Sequence, residues 1–562
     1  MNMYIEKGRK CMKNYDVIVV GAGLAGLVAT TELAQRGKRV LLLDQEGSQS
    51  LGGQAWWSFG GLFMVDTPEQ RRMGITDSKA LAWQDWLGTA GYDREDEDYW
   101  GKEWARHYVD FATEEKRAWL HEKGVRFFPV VGWAERGGYL AEGHGNSVPR
   151  FHITWGTGPG LVEPFVNQLH HFIDLGLVTY LPRHRVESLL KTKEAVTGVT
   201  GSVLQDTKAE RGASSNRVVI DEFTYEAEAV IIASGGIGAN FKLIKENWPT
   251  RLGKAPTNMI AGVPDYVDGK MLAISEVAGA RIVNRDRMWH YTEGIKNWNP
   301  IWNKHGIRIL PGPSSLWFDA EGNRFDAPNF PGFDTLGTLE AIMKTGYDYS
   351  WFILTKDIIE KEFALSGSEQ NPDLTGKSMK KLLKHVFPGA PGPVQTFLDK
   401  GADFVQAETI ETLVVKMNQL TGEKLLDIDK VYRQVAARDR ELENKFTKDL
   451  QVTALHGARN YIGDKLIRTA KPHKFLDYKN GSLIAVKLNI LSRKTLGGLQ
   501  TNLHAQVLNH AGNPISGLYA VGEVSGFGGG GIHGYRSLEG TFVGNCLFTG
   551  KVAGKAIAEA LR

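Results

Sequence analysis

Cysteine is scarce in this chain, which has only Cys11 and Cys546 among its 562 residues. Two cysteines so far apart do not make a disulfide framework, and the sequence has no CxxC or paired Cys/His spacing of the kind that holds zinc. We therefore expect no metal site. The low cysteine content favours a reducing compartment.

Long apolar runs and blocks of like charge are absent as well. No stretch reaches the ~18 apolar residues that a membrane-spanning helix needs, and residues 1–12 are polar and lack the apolar region of a signal peptide. The net charge is +3, and no charge block is long enough to indicate a nucleic-acid-binding arm. These absences predict a cytoplasmic protein with no transmembrane segment and no nucleic-acid partner.

Glycine, in contrast, is abundant, and its most informative cluster lies near the N-terminus. The β-branched run 17–20 predicts a buried parallel strand. Gly21, Gly23 and Gly26 then complete a GxGxxG spacing, and residues 27–35 continue with helical periodicity. The order strand, glycine turn, helix is typical of a dinucleotide-binding site.

A second predicted strand, 39–43, ends at Asp44. In such a site the first glycine makes a tight turn, the second lets a pyrophosphate approach the backbone, and the third lets the helix pack on the strand. The helix N-terminus faces the phosphates, and Asp44 can accept a hydrogen bond from a ribose 2′-hydroxyl. The strand, the helix, the second strand and the acid follow one another in the expected order, which favours a dinucleotide site; the alternative is a glycine-rich turn without a ligand.

Two Gly-Gly pairs, 52–53 and 60–61, bracket a short apolar segment that contains Ser58. Because glycine has no Cβ, the backbone here can lie against a flat ring. We interpret the loop 45–61 as the support of a flavin isoalloxazine ring, with a flexible loop as the alternative. The loop has no histidine, which argues against a covalent histidyl-flavin bond.

The length of the chain predicts more than one domain. Composition changes near Asn284, where prolines, tryptophans and long amphipathic helices begin, and the glycine pattern returns near Arg493. We expect an α/β fold in which a discontinuous Rossmann-like domain carries an inserted α+β capping domain that binds the substrate. The predicted divisions are an N-terminal extension (1–13), the first part of the cofactor domain (14–283), the insert (284–485) and the second part of the cofactor domain (486–562).

Four blocks in this order resemble the flavoprotein family that contains fumarate reductases and 3-ketosteroid dehydrogenases. They are the GxGxxG block with its acid, the first Gly-Gly pair, the strand end 233–236, and the segment 517–523 with its glycine-rich sequel. The resemblance implies non-covalent FAD, with Glu523 at the ribityl chain and residues 537–543 at the pyrimidine end of the ring. The expected cofactor contacts are Gly21, Gly23, Leu24, Ala25, Gly26, Asp44, Gln45, Gly52, Gly53, Ser58, Gly60, Gly61, Val186, Ala233, Ser234, Gly235, Asp268, Gly522, Glu523, Ser537, Leu538, Thr541 and Phe542.

The chain departs from the fumarate reductase pattern at three substrate positions. Lys494 stands where those enzymes have a carboxylate-binding histidine, and Arg536 lies one residue away from their second carboxylate clamp, which is Ser537 here. The block 322–325 is present, but no arginine follows it in 326–334, where the proton donor would be. These differences weaken the prediction of a dicarboxylate substrate.

The loop 534–542 is more similar to that of the 3-ketosteroid dehydrogenases, which use tyrosines near the flavin. Desaturation beside a ketone needs a group that polarises the carbonyl, a base for the acidic proton, and a hydride acceptor. The candidate catalytic residues are Tyr535, Arg536 as the cation that lowers its pKa, His533 and Tyr291. For each of them a purely structural role is the alternative.

The predicted function is therefore an FAD-dependent dehydrogenase that introduces a C=C bond beside a ketone in a small-molecule substrate, for which a steroid-like ketone is the candidate. The alternative is an ene or enone reductase that uses an external electron donor. The sequence contains no second nucleotide motif and no iron–sulfur or haem motif, so we expect the electron acceptor or donor to be a separate molecule.

Overall fold

The computed structural model describes residues 15–138, 142–193, 195–378 and 389–561. The predicted N-terminal extension lies outside these residues. Within them, most strands belong to a nine-stranded or an eight-stranded sheet. No helix in the described part of the chain is long and apolar enough to cross a membrane.

The nine-stranded sheet has a parallel centre. β1 (Val17–Val20) lies between β2 (Val40–Leu43) and β10 (Ala229–Ile232). β6 (Val178–Leu181) extends the sheet beyond β2, and β22 (Pro514–Ala520) extends it beyond β10. All five strands run parallel, and residues from both ends of the sequence therefore contribute to one sheet.

One edge of this sheet is antiparallel. β8 (Ala195–Leu204) lies beside β22 and pairs with β7 (His184–Thr192) and β9 (Val219–Glu226). The sequence predicts a single strand over 178–186, but the structure divides it into β6 and β7. The division falls at Arg183, whose φ of 60° is left-handed and turns the chain.

Helix α1 (Leu24–Ala34) follows β1 and is buried along its whole length, partly against the last helix of the chain. Its close approach to β1 depends on Gly26, where a Cβ atom would lie 2.0 Å from the carbonyl oxygen of Gly21. The other described helices are α2 (Pro68–Arg72), α3 (Lys79–Ala90), α4 (Glu95–Glu114), α5 (Lys116–Glu122), α6 (Thr157–Asp174), α7 (Phe241–Glu246), α8 (Lys270–Val277), α9 (Thr335–Lys344), α10 (Lys356–Glu362), α11 (Pro372–Thr375), α12 (Gly392–Lys400), α13 (Ile410–Thr421), α14 (Ile428–Leu442), α15 (Leu450–Ala458), α16 (Ile462–Ile467) and α17 (Phe542–Ala560).

The eight-stranded sheet is built around one long strand, β19 (Leu483–Thr495). Most of its buried apolar residues form a core of their own, whereas Ile260, Trp289, Tyr291 and Leu491 belong to a core that also contains residues of β1 and β2. The other strands of this sheet are β11 (Met259–Ala261), β13 (Met288–Lys296), β14 (Gly306–Leu310), β15 (Leu316–Asp319), β16 (Tyr349–Thr355), β17 (Ala364–Leu365) and β18 (Phe404–Ala407). β21 (Gln506–Leu508) pairs antiparallel with β22 and is the ninth strand of the nine-stranded sheet. The strands outside both of these sheets are β3 (Gly61–Phe63), β4 (Phe127–Gly132), β5 (Phe151–Thr154), β12 (Ile282–Val283) and β20 (Gly498–Leu499).

β19 crosses the predicted boundary between residues 485 and 486. Its first half lies between β16 and β18, and its second half pairs with β13 and with β11. β11 precedes residue 284, so the sheet of the insert also contains a strand from the predicted cofactor segment. The strand continues because its residues are paired on both sides of the boundary.

Candidate active site

A deep cleft opens at the carboxyl ends of the parallel strands β1, β2, β10 and β22. Such strand ends are where ligands bind in open α/β sheets. Seventeen of the residues expected at the cofactor line it: Gly21, Gly23, Leu24, Ala25, Asp44, Gln45, Gly52, Gly53, Ser58, Val186, Ala233, Ser234, Gly235, Asp268, Gly522, Glu523 and Phe542.

Six residues of the expected cofactor set are not among the residues that line this cleft. Gly26 supports α1, as described above, and Gly60 and Gly61 pack against Thr157 and Phe151. The other three, Ser537, Leu538 and Thr541, precede α17. The Ser537 hydroxyl donates to the carbonyl oxygen of Trp86, and the Thr541 hydroxyl is hydrogen-bonded to His533, so both hydroxyl groups already have partners within the protein.

Asp44 stands at one end of the cleft as an oriented acceptor. Its carboxylate accepts hydrogen bonds from the backbone N–H groups of Ala22 (2.7 Å) and Glu46 (2.8 Å). Burial raises the pKa of Asp44 to about 6, although these two bonds favour the charged form. At neutral pH the group is therefore a fixed carboxylate, which suits the hydroxyl groups of a ribose.

Gln54 and Glu523 are joined across the cleft. The Gln54 Nε2 donates to Glu523 Oε2 (2.7 Å), and the backbone N–H of Thr495 donates to Glu523 Oε1 (2.8 Å). The other amide atom of Gln54, Oε1, is buried with no partner among the described residues. A buried acceptor left unpaired is costly, so it fits the hydroxyl or N–H donors of a bound cofactor.

Lys494, on β19 of the eight-stranded sheet, lines the cleft near Glu523 and Phe542. Burial lowers the pKa of Lys494 to about 8, and the charge of Arg493 lowers it further in the same direction. This is the lysine that the resemblance places at the position of the fumarate reductase histidine. A cation at this end of the cleft suits a ligand that gains negative charge.

A charged cluster is buried beneath the loop that precedes α17. The hydroxyl of Tyr291 donates to Glu539 Oε1 (2.8 Å). The Arg308 guanidinium lies over the Tyr291 ring (3.9 Å) and 3.4 Å from the same Glu539 oxygen. Its other nitrogen donates to Glu135 (2.8 Å). β13, β14 and two loops thus bring four distant side chains together.

Carboxylates outnumber cations in this cluster. Glu293 adds a further acid, 3.7 Å from Arg308, and accepts from the Thr335 hydroxyl (2.7 Å). Burial raises the pKa of Glu135 well above its usual range, and the neighbouring carboxylates raise it further. Burial also raises the pKa of Tyr291, and Glu539 adds to the effect. Both groups therefore keep their protons to a higher pH than usual, and titratable groups with shifted pKa values are typical of functional sites.

Tyr535 and Arg536 are not among the residues that line the cleft, and neither is Tyr291. The Tyr535 hydroxyl donates to Asp93 (3.0 Å), and its ring lies under the guanidinium groups of Arg287 (4.0 Å) and Arg251 (4.8 Å). Both Tyr535 and Arg536 line a second, smaller cavity. The loop does reach the Tyr291 cluster, but through Glu539.

His533 is completely buried in an aromatic cluster. Its ring stacks on Trp86 at 5.7 Å, and its Nε2 shares a 2.6 Å hydrogen bond with the Thr541 hydroxyl. Burial lowers the pKa of His533 to about 3, so its imidazole is neutral at physiological pH. This environment is typical of a packing residue.

Sequence reasoning missed Glu539, Arg308 and Glu135 as partners of Tyr291. Glu539 does lie in the glycine-rich loop that the sequence singles out, where a carboxylate among small residues is a usable signal. Arg308 and Glu135 lie in segments with no motif, and only tertiary structure brings them together.

The comparisons agree with this geometry. The family model described as "FAD binding domain" matches residues 16–543. A KsdD-like steroid dehydrogenase of Mycobacterium tuberculosis (strain CDC 1551 / Oshkosh) is 60% identical over 548 residues, which is 97% of this chain and 96% of the relative. A KsdD-like steroid dehydrogenase of Mycolicibacterium smegmatis is 60% identical over 532 residues, or 95% and 96% of the two chains.

Among solved structures, the 3-ketosteroid delta1-dehydrogenase of Sterolibacterium denitrificans, in complex with 1,4-androstadiene-3,17-dione, has a similar fold. The TM-score is 0.66 at 16% identity, and the match covers 97% of this chain and 99% of the other. The prediction of an α/β, Rossmann-like fold is confirmed. FAD is the cofactor, and two acids that line the cleft, Asp44 and Glu523, fit it, as does the unpaired amide oxygen of Gln54. The chain belongs to the FAD binding domain family, as a relative of the KsdD-like steroid dehydrogenases.

Proposed function

We propose that this protein is an FAD-dependent dehydrogenase that introduces a C=C bond beside the ketone of a steroid-like substrate. The observation that carries the proposal is the 60% identity, over nearly the whole chain, to relatives named as steroid dehydrogenases. The buried Tyr291–Glu539–Arg308 cluster supports it, because desaturation needs a base as well as a hydride acceptor.

Bound FAD supplies the hydride acceptor. In our proposal Asp44 holds the ribose and Glu523, positioned by Gln54, holds the ribityl chain. Lys494 lies near Glu523 in the cleft and offsets negative charge there. These groups bind and orient the cofactor without entering the reaction.

Tyr291 is the proposed base, in the role that the sequence first assigned to Tyr535. Its oxygen takes the proton from the carbon beside the ketone, while its own proton passes along the 2.8 Å hydrogen bond to Glu539. Arg308 contacts both groups and offsets the charge that moves between them.

The first experiment is an anaerobic titration of the purified protein with a panel of 3-ketosteroids, followed by flavin absorbance. Bleaching supports the dehydrogenase. If no ketosteroid bleaches the flavin but an enone reoxidises dye-reduced enzyme, the protein is a reductase and the proposal fails. We also propose that a separate molecule accepts the electrons, which a dye-linked assay with and without added acceptor tests.

The role of Tyr291 is tested with Tyr291→Phe, which removes only the hydroxyl. Loss of a general base lowers rates by ~10²–10⁴-fold, so we expect flavin reduction to slow by at least about 100-fold, with the oxidised flavin spectrum unchanged. Tyr99→Phe is the matched control, because Tyr99 is exposed on α4. An unchanged rate in Tyr291→Phe removes this residue from the mechanism, and Tyr535→Phe is then the next variant to measure.

A further inference from the structure

The strand β19 is irregular just before the residue that lines the FAD cleft. Tyr291 on the neighbouring strand β13 pairs with Leu491. Two residues earlier on β13, Trp289 pairs with Lys494, which is three residues later on β19. The extra residue makes a β-bulge that includes Arg493, and bulges redirect side chains, often beside active sites.

Arg493 and Lys494 also stand out by their accessibility. Between residues 488 and 500 these two keep part of their surface accessible, whereas every other residue of the interval is buried. Lys494 lines the FAD cleft. The bulge thus brings two adjacent cations, one of which is already assigned to the cleft, to the edge of accessible space inside the protein.

The guanidinium of Arg493 is held at one point and is otherwise free. It donates to the carbonyl oxygen of Gly262, where an added Cβ would lie 2.8 Å from Arg493 Cδ. Among the described residues this is the one hydrogen bond that the guanidinium makes, and it forms no ion pair with them. Since a guanidinium has five N–H donors, most of them remain available to a ligand.

The charged groups around Arg493 place it between the cleft and the Tyr291 cluster. Burial lowers the pKa of Arg493, and the groups that act in the opposite direction are Tyr291, Glu369 and Glu523. Glu523 lines the cleft, whereas Tyr291 is the proposed base. A ligand atom held by Arg493 would therefore be near both the base and the bound FAD.

Glu369 does not take up the free donors of Arg493. It lies in the loop after β17, where the N–H of Ser368 donates to the carbonyl oxygen of Trp57 (3.3 Å). Its Oε2 atom is buried with no hydrogen-bond partner among the described residues. Burial raises the pKa of Glu369 to about 7, so it is a weak counter-charge at neutral pH.

The proposed reaction still needs a group that polarises the ketone. The ketone oxygen is bound to the carbon next to the one that loses its proton, so this group must lie beside the base. Arg308 also contacts the Tyr291 ring, but it is engaged by three carboxylates within 3.7 Å, those of Glu135, Glu293 and Glu539. Arg493 is the cation near Tyr291 that has free donors.

We propose that Arg493 is a further catalytic residue, which binds the ketone oxygen of the substrate; this role rests on the proposed function. When the Tyr291 oxygen takes the proton, the C–H electron pair becomes the C=C bond of an enolate. A C=O electron pair moves to the oxygen, whose negative charge the N–H groups of Arg493 stabilise. As the carbonyl forms again, the C=C pair moves to the next carbon–carbon bond, and a hydride leaves that carbon for the bound FAD. The substrate thus loses one proton and one hydride, and FAD is the oxidant.

Arg493→Gln, which removes the charge, tests this role in anaerobic flavin reduction by a ketosteroid. Loss of one donor to an oxyanion lowers rates by ~10²–10³-fold, so we expect reduction to slow by at least about 100-fold with flavin content unchanged. Arg493→Lys keeps the charge and should recover part of the rate. Arg433→Gln, at an exposed arginine of α14, should have no effect. If Arg493→Gln does not retain FAD, Arg493→Met, which keeps the aliphatic stem, replaces it.

A binding measurement separates this role from a structural one and needs no turnover. A steroid whose first ring is aromatic and carries a hydroxyl group at position 3 has an oxygen placed like that of the enolate. We expect calorimetry to show that the FAD-loaded enzyme binds this phenol at least about tenfold more tightly than its 3-deoxy analogue, as one charge-assisted hydrogen bond can supply. The preference should disappear in Arg493→Gln and persist in part in Arg493→Lys.

The proposal is wrong if Arg493→Gln reduces its flavin at the wild-type rate, if this variant still prefers the phenol, or if the wild-type enzyme binds both steroids alike. If no ketosteroid bleaches the wild-type flavin, the proposed function fails by itself. A preference for the phenol that depends on Arg493 would then still support an oxygen-binding arginine, and its absence would overturn one.

Discussion

The FAD cleft and the Tyr291 cluster are built in opposite ways. The cleft is lined by backbone and small residues at the ends of parallel strands, and most of its contacts come from short, continuous motifs. The cluster has no motif, and its acids and its arginine come from four segments spread between residues 135 and 539. Cofactor binding is thus a local property of the sequence, whereas the proposed chemistry depends on long-range packing.

The largest effect is expected for a variant of the FAD cleft, and it concerns the affinity for FAD. Gly26→Ala places a Cβ atom 2.0 Å from the Gly21 carbonyl oxygen, and both atoms belong to rigid backbone. The helix must move, and with it the N–H groups that face the pyrophosphate. We expect at least a 100-fold loss of FAD affinity, measured as the flavin content of the purified protein.

Gly457→Ala is the control for that variant. Gly457 lies in α15 with no atom near the position of an added Cβ, and replacing glycine by alanine in a helix is favourable by up to about 1 kcal/mol. Flavin content should stay unchanged. Full flavin content in Gly26→Ala would show that the cleft tolerates movement of α1, and would contradict the view that FAD binding depends on this local motif.

The next effect concerns the cluster. Arg308→Met removes the cation that Glu135, Glu293 and Glu539 share, and breaking a buried ion pair costs about 3–5 kcal/mol. We expect a loss of this size in the free energy of unfolding by urea, with flavin content retained. Lys344→Met, which breaks an exposed pair with Glu340, should cost no more than about 0.5 kcal/mol.

A second change sharpens this result. Adding Glu135→Gln to Arg308→Met removes one of the carboxylates left unpaired, so the double variant should regain part of the lost stability. If it is no more stable than Arg308→Met, repulsion among the acids is not what Arg308 offsets.

The smallest expected effect is the pH dependence at Asp44. Because its pKa in the fold is about 6, the carboxylate is protonated as the pH falls through 6 and becomes a poorer acceptor for the ribose. FAD affinity should fall by up to about tenfold per pH unit below 6. In Asp44→Asn the affinity should be lower at pH 8 and show no such slope.

In the FAD-free protein, a low pH has the opposite effect at Asp44: it weakens FAD binding but increases the contribution of Asp44 to the free energy of unfolding. Folding raises the pKa of Asp44 from 3.8 to about 6, so protonation favours the folded form. Its contribution to stability is complete below pH 4 and is lost as the pH rises through 6. Urea unfolding of FAD-free protein at pH 4 and pH 7, compared with Asp44→Asn, measures this difference.

The sequence predicts the cofactor half of the molecule well because the relevant signals are adjacent. β1, the glycine turn and α1 occupy eighteen consecutive positions from Val17 to Ala34, and Asp44 follows at the end of the next strand. The predicted tyrosine of the C-terminal loop illustrates the limit. Tyr535 is in the expected loop, but its backbone N–H is bonded to Ala90 and its hydroxyl to Asp93, on α3 and before α4. No local pattern encodes those contacts.

The continuity of β19 has a practical consequence for exchanging parts between relatives. Residues 284–485 look like an insert in the sequence, but excising them would cut β19 after three residues and remove β13 and β16, the strands that pair with the part of β19 that remains. A chimera that exchanges the whole interval 259–495 takes every strand of the eight-stranded sheet from one parent. Only the contacts between this interval and the rest of the chain then join residues of two different parents. The segment to exchange between relatives is therefore the one that contains the whole eight-stranded sheet, and it is longer than the insert predicted from the sequence.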